Sequence, residues 1–194
     1  MQGKSAKSGI ADEPVTPGND AVWSGLVSRA IRATLVRQDM SYADLAAAML
    51  GLGLAETSRS VEAKAQRGTF RFTFFLQTLV ASRTDYPVTW SKAMTSKQHW
   101  EARASAVLRE ELSQHPWLTW DGLSARLGEI GIMLASEDLK VQVHGGNFSA
   151  SLFLQCATVC RFDGIERFVD ISALNGAALG AAPSPGGQIM PHSL

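Results

Sequence analysis

Two stretches of 42 residues decide the fold of this chain, because each repeats the pattern of the other without a gap. They are Met40–Ala81, MSYADLAAAMLGLGLAETSRSVEAKAQRGTFRFTFFLQTLVA, and Leu118–Val159, LTWDGLSARLGEIGIMLASEDLKVQVHGGNFSASLFLQCATV. Nine of the 42 aligned pairs are identical, where chance would give about three. The identities include Gly53/Gly131 and Gly68/Gly146. The chain is therefore an internal tandem duplication.

The duplication extends upstream, where a spacing of 77 residues aligns Trp23 with Trp100. The change from 77 to 78 falls in the intervening turn, where insertions are tolerated. We assign the first repeat to 21–83, a linker to 84–99 and the second repeat to 100–163. Polar or Pro- and Gly-rich composition predicts disordered tails over 1–20 and 181–194. A short C-terminal helix is expected over 164–180.

The apolar residues of each repeat recur at helical spacing. In the first repeat Trp23, Val27 and Ile31 form one stripe, which predicts a helix with one buried face. A second helix begins after Ser41, whose hydroxyl can cap it. A third is predicted over 57–66 and a fourth over 71–82, separated by Gly68. The predicted fold class is all-α: two tandem copies of a four-to-five-helix, helix-turn-helix-like domain.

Composition limits where the protein works. No apolar run approaches the ~18 residues of a membrane span, and the polar N-terminus lacks the apolar core of a secretion signal. We therefore expect a cytoplasmic protein without membrane contact. The only two cysteines, Cys156 and Cys160, lie four residues apart. Without a second Cys or His pair at ligand spacing, we interpret them as buried or half-buried free thiols rather than a metal site.

Catalytic motifs find little support in the sequence. The four histidines are scattered, no Gly-rich phosphate loop follows a strand, and no nucleophile has a supporting triad. We therefore expect no enzymatic activity, no cofactor and no metal.

The helix order does suggest nucleic-acid binding. In helix-turn-helix domains the helix after the turn lies in the major groove and presents its first side chains to base edges. In the first repeat, the residues predicted to contact double-stranded DNA are Ser58, Arg59, Ser60, Lys64, Arg67 and Arg71. Arg59 can donate two hydrogen bonds to a guanine edge. Lys64, Arg67 and Arg71 are suited to contacts with phosphates. A merely solvated helix face is the alternative interpretation.

Several short motifs carry a family resemblance. They are Ser41-Tyr42-Ala43-Asp44-Leu45-Ala46, Gly53, Arg67-Gly68-Thr69-Phe70 and Phe74-Phe75-Leu76-Gln77, with Gly146-Asn147-Phe148-Ser149-Ala150 and Phe153-Leu154-Gln155-Cys156 in the second repeat. In these the chain resembles an uncharacterised bacterial helical domain family that is similar to phage-repressor-type (Cro/CI-like) helix-turn-helix domains. The resemblance implies a helical fold and, through the wider class, DNA binding and transcriptional regulation. Arg67 is replaced by Gly145 in the second repeat.

Charge divides the two repeats. The first holds eight Lys/Arg and four Asp/Glu, and the second holds five and eight, although the whole chain is neutral. Glu137 and Asp138 replace Arg59 and Ser60, and carboxylates are repelled by a phosphate backbone. We therefore expect the first repeat to make the main DNA contact. The acidic repeat would pack against the first repeat, support a homodimer or hold a protein partner. The alternative function is a protein-interaction adaptor that does not bind DNA.

Overall fold

A computed structural model describes residues 17–181, and this part of the chain is predominantly helical. Ten α-helices occur there: α1 (Pro17–Arg37), α2 (Tyr42–Gly51), α3 (Ser58–Arg67), α4 (Phe72–Ala81), α5 (Ser91–Met94), α6 (Trp100–Ser113), α7 (Trp120–Glu129), α8 (Ser136–Gly145), α9 (Ala150–Cys160) and α10 (Ile171–Ala181). Short 3-10 turns at Val88–Trp90 and Ile165–Arg167 precede α5 and α10. Over this range no strand forms, which confirms the all-α prediction, and no helix has the length and apolar character to cross a membrane.

Capping residues set the helix boundaries as the sequence predicted. The Ser41 hydroxyl accepts a hydrogen bond from the amide of Asp44, and the Asp44 carboxylate accepts one from the amide of Ser41. This reciprocal pair satisfies two amides that the start of α2 leaves free. At the starts of α3 and α7 the cap is a single hydrogen bond: the Thr57 hydroxyl accepts from the amide of Ser60, and the Thr119 hydroxyl accepts from the amide of Gly122.

The two repeats meet across a local two-fold axis. Arg71 and Ser149, which are equivalent residues 78 positions apart, form an isolated antiparallel β-bridge. On either side of it, the Phe72 amide donates to the Phe148 carbonyl and the Ala150 amide donates to the Phe70 carbonyl, each at 3.0 Å. Since each bond is the two-fold image of the other, the repeats are related as the subunits of a symmetric dimer are.

Around this axis, the first helix of each repeat packs against helices of the other repeat. Helix α1 of the first repeat packs against α9 and α10 of the second, while α6 of the second repeat packs against α4 and α5 of the first. Within each repeat, α1 contacts α3 and α6 contacts α8. The first helix of each repeat therefore joins the two halves into one hydrophobic core.

Aromatic rings fill the centre of the interface. Phe72 stacks on Phe153 with ring centroids 4.0 Å apart. Trp90 stacks on its equivalent, Phe168, at 5.7 Å. The edge-to-face pairs Phe75–Phe168 and Trp90–Phe153 are two-fold images of one another, at 5.3 and 5.5 Å. Such pairs add stabilisation beyond the area they bury.

Two predicted boundaries differ from the structure. Helix α1 begins at Pro17, so residues 17–20 are helical rather than part of a disordered tail; the remaining residues of that tail, and 182–194, lie outside the described range. The predicted linker, 84–99, contains a 3-10 turn and α5, with Trp90 fully buried. The segment is structured because it supplies the first repeat with the element that Phe168 and α10 supply to the second.

Candidate functional site

Helix α3 presents a polar face to solvent because only two of its side chains are fully buried. Val61 and Ala65 pack into the core. Ser58, Arg59, Gln66 and Arg67 are exposed. Arg59 lies in the first turn of α3 and Arg67 is its last residue, so they stand toward opposite ends of this face, and Gln66 lies next to Arg67.

A glycine fixes the C-terminal end of α3. Gly68 adopts a left-handed conformation with φ +67°, and a Cβ placed on it would lie 1.9 Å from the Ser24 carbonyl oxygen of α1. No other residue fits this close approach. Arg67, its chain neighbour, is consequently held beside α1.

The middle of the candidate site is engaged within the protein. The Lys64 ammonium forms an ion pair with Glu56 and lies 5.0 Å from the centre of the Phe74 ring. Ser60 donates to the other carboxylate oxygen of Glu56 at 2.7 Å. Burial would raise the pKa of Glu56, but the hydrogen bonds from Lys64 and Ser60 and the charge of Lys64 outweigh it, so the pKa is lowered. Ser60 and Lys64 are thus both bonded to Glu56 rather than free on the surface of α3.

Arg71 lies at the boundary between the repeats rather than on α3. Its backbone forms the β-bridge to Ser149, and its guanidinium Nη1 donates to Asn147 Oδ1 at 3.0 Å. The side chain is nevertheless exposed. The structure therefore places Arg59 and Arg67 on one free face, and it places Lys64 and Arg71 in contacts that the sequence analysis did not anticipate.

The equivalent helix of the second repeat has a different surface. Glu137 and Asp138 are exposed in the first turn of α8, and Lys140 lies 4.0 Å from Glu137. Val141 is 69% exposed and Met133, in the preceding turn, is 88% exposed. An acidic and partly apolar face therefore stands at the two-fold image of the α3 face.

The two cysteines are buried free thiols, as predicted. Burial raises the pKa of Cys160 to about 11, although the charge of Arg126 opposes the rise. Burial, with a smaller effect from Cys160, also raises the pKa of Cys156. Both groups stay protonated at neutral pH, where a thiol is a poor nucleophile.

Comparison with protein families supports the duplication. The model described as Domain of unknown function (DUF6471) matches the chain twice, at residues 23–85 and 100–165. The chain belongs to this family. Searches of curated proteins and of solved structures found no match.

Each DUF6471 segment includes four α-helices and stops before the helix that follows them, α5 or α10. The first segment ends at 85, ahead of α5, and the second ends at 165, ahead of α10. Both segments include the glycine that approaches the first helix, Gly68 or Gly146. The α3 face, the α8 face and the bridge at Arg71 all lie within the matched segments.

Gln66 is an exposed polar residue of α3 that does not belong to the predicted site. It lies seven residues after Arg59, and the helical period could have placed both on one face. Its amide nitrogen donates to the Glu62 carboxylate at 3.1 Å. This leaves the amide oxygen available as an acceptor beside Arg67, at the C-terminal end of the face.

Proposed function

We propose that the protein is a DNA-binding transcriptional regulator that contacts duplex DNA through the exposed face of α3. The observation that carries this proposal is the pair Arg59 and Arg67. Both are exposed on one helix face, and neither takes part in an ion pair within residues 17–181. Two free guanidinium groups on a capped, rigidly packed helix suit the major groove, where arginine reads guanine and contacts phosphates.

The remaining residues would act around this pair. Ser58, at the first position of α3, can reach a base or a phosphate, and Gln66 can pair with an adenine edge. Ser60 and Lys64 would break their contacts with Glu56 and contact a phosphate instead, because a phosphate oxygen can replace that carboxylate. Arg71 would contact the backbone next to the repeat boundary.

The connection between α2 and α3 fits the proposed relation to phage-repressor-type domains only in outline. Residues 52–57 join the two helices, with Gly53 at φ +77° just after α2. The order of helix, turn and outward-facing helix matches a helix-turn-helix motif. The connection is longer than the tight turn of a typical repressor motif, and the close approach of Gly68 to α1 holds the far end of α3.

The local two-fold axis has a consequence for the DNA sequence. Two-fold symmetric helix-turn-helix dimers bind palindromic half-sites. Here the two-fold image of the basic face carries Glu137 and Asp138, which phosphates repel. We therefore expect a single asymmetric half-site.

The proposal is tested by measuring binding of the full chain to labelled genomic fragments at several salt concentrations. Saturable binding that weakens with salt is expected, since phosphate contacts release counterions. The variant Arg59→Ala/Arg67→Ala should bind at least about tenfold more weakly. Its matched control, Arg32→Ala/Arg83→Ala, removes the same charge from exposed positions elsewhere in the first repeat and should retain most of the affinity. Equal losses in the two double variants would reject the α3 site.

A second candidate function rests on the α8 face. Exposed Val141 and Met133 beside Glu137 and Asp138 combine apolar area with negative charge, as a surface for a basic protein partner would. In this alternative the chain is an adaptor that does not bind DNA. A partner isolated with the full chain should be lost from Glu137→Lys/Asp138→Lys and retained by Arg59→Ala/Arg67→Ala. Retention by the first variant would exclude this face.

A further inference from the structure

A surface cavity of about 260 Å³ lies in the second repeat, where α6 ends and α7 begins. Its apolar lining includes Leu112, Leu118, Leu123 and Trp120. Leu123 is buried, and the other three are half-buried. A concave site with an apolar lining and a few polar groups is the usual form of a small-molecule site, and this volume lies just below the usual range of about 300–1,000 Å³, so only a small ligand would fit.

The ionisable side chains that line the cavity are Arg109 and His115, and no carboxylate lines it. Arg109 is exposed and forms no ion pair in the described part of the chain. The His115 ring is held between Trp117, at 5.6 Å, and Phe162, at 6.4 Å. Glu110 and Asp121 are near in sequence but lie outside the lining. The cavity therefore has a cationic lining, which suits an anion, in a repeat that is acidic overall.

The cavity occupies the place where the repeats differ in length. Six residues, 114–119, connect α6 to α7, whereas four residues, 38–41, connect α1 to α2. The equivalents of Arg109 and Trp120 in the first repeat are Arg32 and Tyr42, but the shorter turn there carries Asp39. A carboxylate in that turn would oppose an anion, so the second repeat alone has this combination of groups.

We propose that this cavity binds a small aromatic carboxylate. The ligand ring lies against Trp120 and the leucine side chains, where aromatic contacts stabilise it. Its carboxylate accepts two parallel hydrogen bonds from the Arg109 guanidinium, whose planar fork matches that group. His115 lines the rim near the carboxylate. The proposal does not depend on DNA binding.

The full-length chain, labelled with ¹⁵N, is titrated with benzoate and separately with benzamide, its neutral isostere. Saturable shifts of the amide signals are expected within 109–123, with benzamide binding about tenfold more weakly, because hydrogen bonds to charged groups are the stronger ones. The variant Arg109→Gln should bind benzoate about tenfold more weakly than the parent does. The matched control Arg32→Gln, at the equivalent position of the first repeat, should bind as the parent does.

Three results would overturn the proposal. One is the absence of shifts within 109–123 at millimolar benzoate. Another is equal affinity for benzamide, which would leave no role for the carboxylate. The third is unchanged benzoate binding by Arg109→Gln. Because Arg109 is exposed, a circular dichroism spectrum matching that of the parent suffices to show that this variant is folded.

Discussion

The positive backbone angles at Gly68 and Gly146 show how single residues hold each repeat together. At each, a Cβ would lie 1.9 Å from a carbonyl oxygen of the first helix of the same repeat, Ser24 or Glu101. The overlap is with backbone, so no side-chain movement relieves it. The glycine lets the end of the third helix touch the first helix, and so it sets the angle at which the α3 face is presented.

We predict that Gly68→Ala lowers the free energy of unfolding by about 3 kcal/mol or more, because backbone strain and steric overlap add. The control is Gly53→Ala. Gly53 also has a positive φ, +77°, but a Cβ there would meet nothing within 4 Å. Strain alone should cost about 1 kcal/mol. Urea denaturation measures both, and equal losses would show that the close approach to α1 is unimportant.

The ion pair between Lys64 and Glu56 predicts a dependence of stability on pH. Because the pKa of Glu56 is lowered in the folded state from its ordinary 4.5, the pair contributes fully above that value and its contribution is lost as pH falls through the folded-state pKa. Lys64→Met should therefore be less stable than the parent at neutral pH, and the difference should shrink below pH 4.5. Thermal melts of both proteins between neutral and acidic pH measure this. A difference that is constant with pH would contradict the assignment.

Residue-level features differed in how far the sequence could predict them. The caps at Ser41 and Thr119 and the turn at Gly68 follow from local rules that need only the neighbouring residues. The partner of Lys64 lies across a turn, at Glu56, and the partner of Arg71 lies 76 residues away, at Asn147. The first contact depends on the path of the connection before α3 and the second on packing between the repeats, so a list of basic residues could not tell free side chains from engaged ones.

At the scale of helices and connections, the segment between the repeats is an anchored element. The Trp90 indole donates to Glu111 Oε1 of α6 at 2.6 Å, and the Thr89 hydroxyl donates to the same oxygen at 3.0 Å. Arg103 of α6 donates to the carbonyls of Met94 and Gln98. These bonds fix the segment along α6 and leave little freedom between the repeats.

We predict that Trp90→Phe destabilises the protein by about 2 kcal/mol, since the buried Glu111 carboxylate loses a donor. The control is Thr89→Val, which removes a hydrogen bond to the same oxygen from an exposed residue and should cost less. Thermal unfolding followed by circular dichroism compares them. If Trp90→Phe costs no more than Thr89→Val, the indole hydrogen bond is not what anchors the segment.

The sequence predicted a linker where the structure has a 3-10 turn and α5, and this error has a physical reason. The interval 84–99 contains Pro87 and several polar residues, which is typical of a linker. Its helix has only four residues, Ser91–Met94, too short for an apolar period to show. Trp90 and Phe168 stand 78 residues apart like the other equivalent pairs, but their side chains differ, so identity alone did not extend the repeat to include them.

At the scale of the whole molecule, the exchange of first helices makes the repeats mutually dependent. Each repeat is near the size at which one core is marginal. Helix α1 completes its buried face against α9 and α10, and α6 does so against α4 and α5. The bridge between Arg71 and Ser149 and the stacked rings of Phe72 and Phe153 also join the two repeats. Separate folding of the two repeats is not expected from this arrangement.

We therefore predict that the two repeats unfold as one cooperative unit. Val61 is fully buried in α3, and Leu139 is its fully buried equivalent in α8. Val61→Ala should cost about 2 kcal/mol by leaving a small cavity. In one cooperative unit that loss lowers the protection of the slowest-exchanging amides in α8 as much as in α3. Native-state hydrogen exchange measures both helices in the same sample.

The reciprocal variant, Leu139→Ala, makes the test symmetric. It should lower the protection of α3 and α8 together, by a larger amount because more methyl groups are removed. If each substitution instead lowered protection only in its own repeat, the repeats would be independent units joined by a tether. The basic α3 face would then have no fixed relation to the acidic α8 face, and the single asymmetric half-site expected on DNA would lose its structural basis.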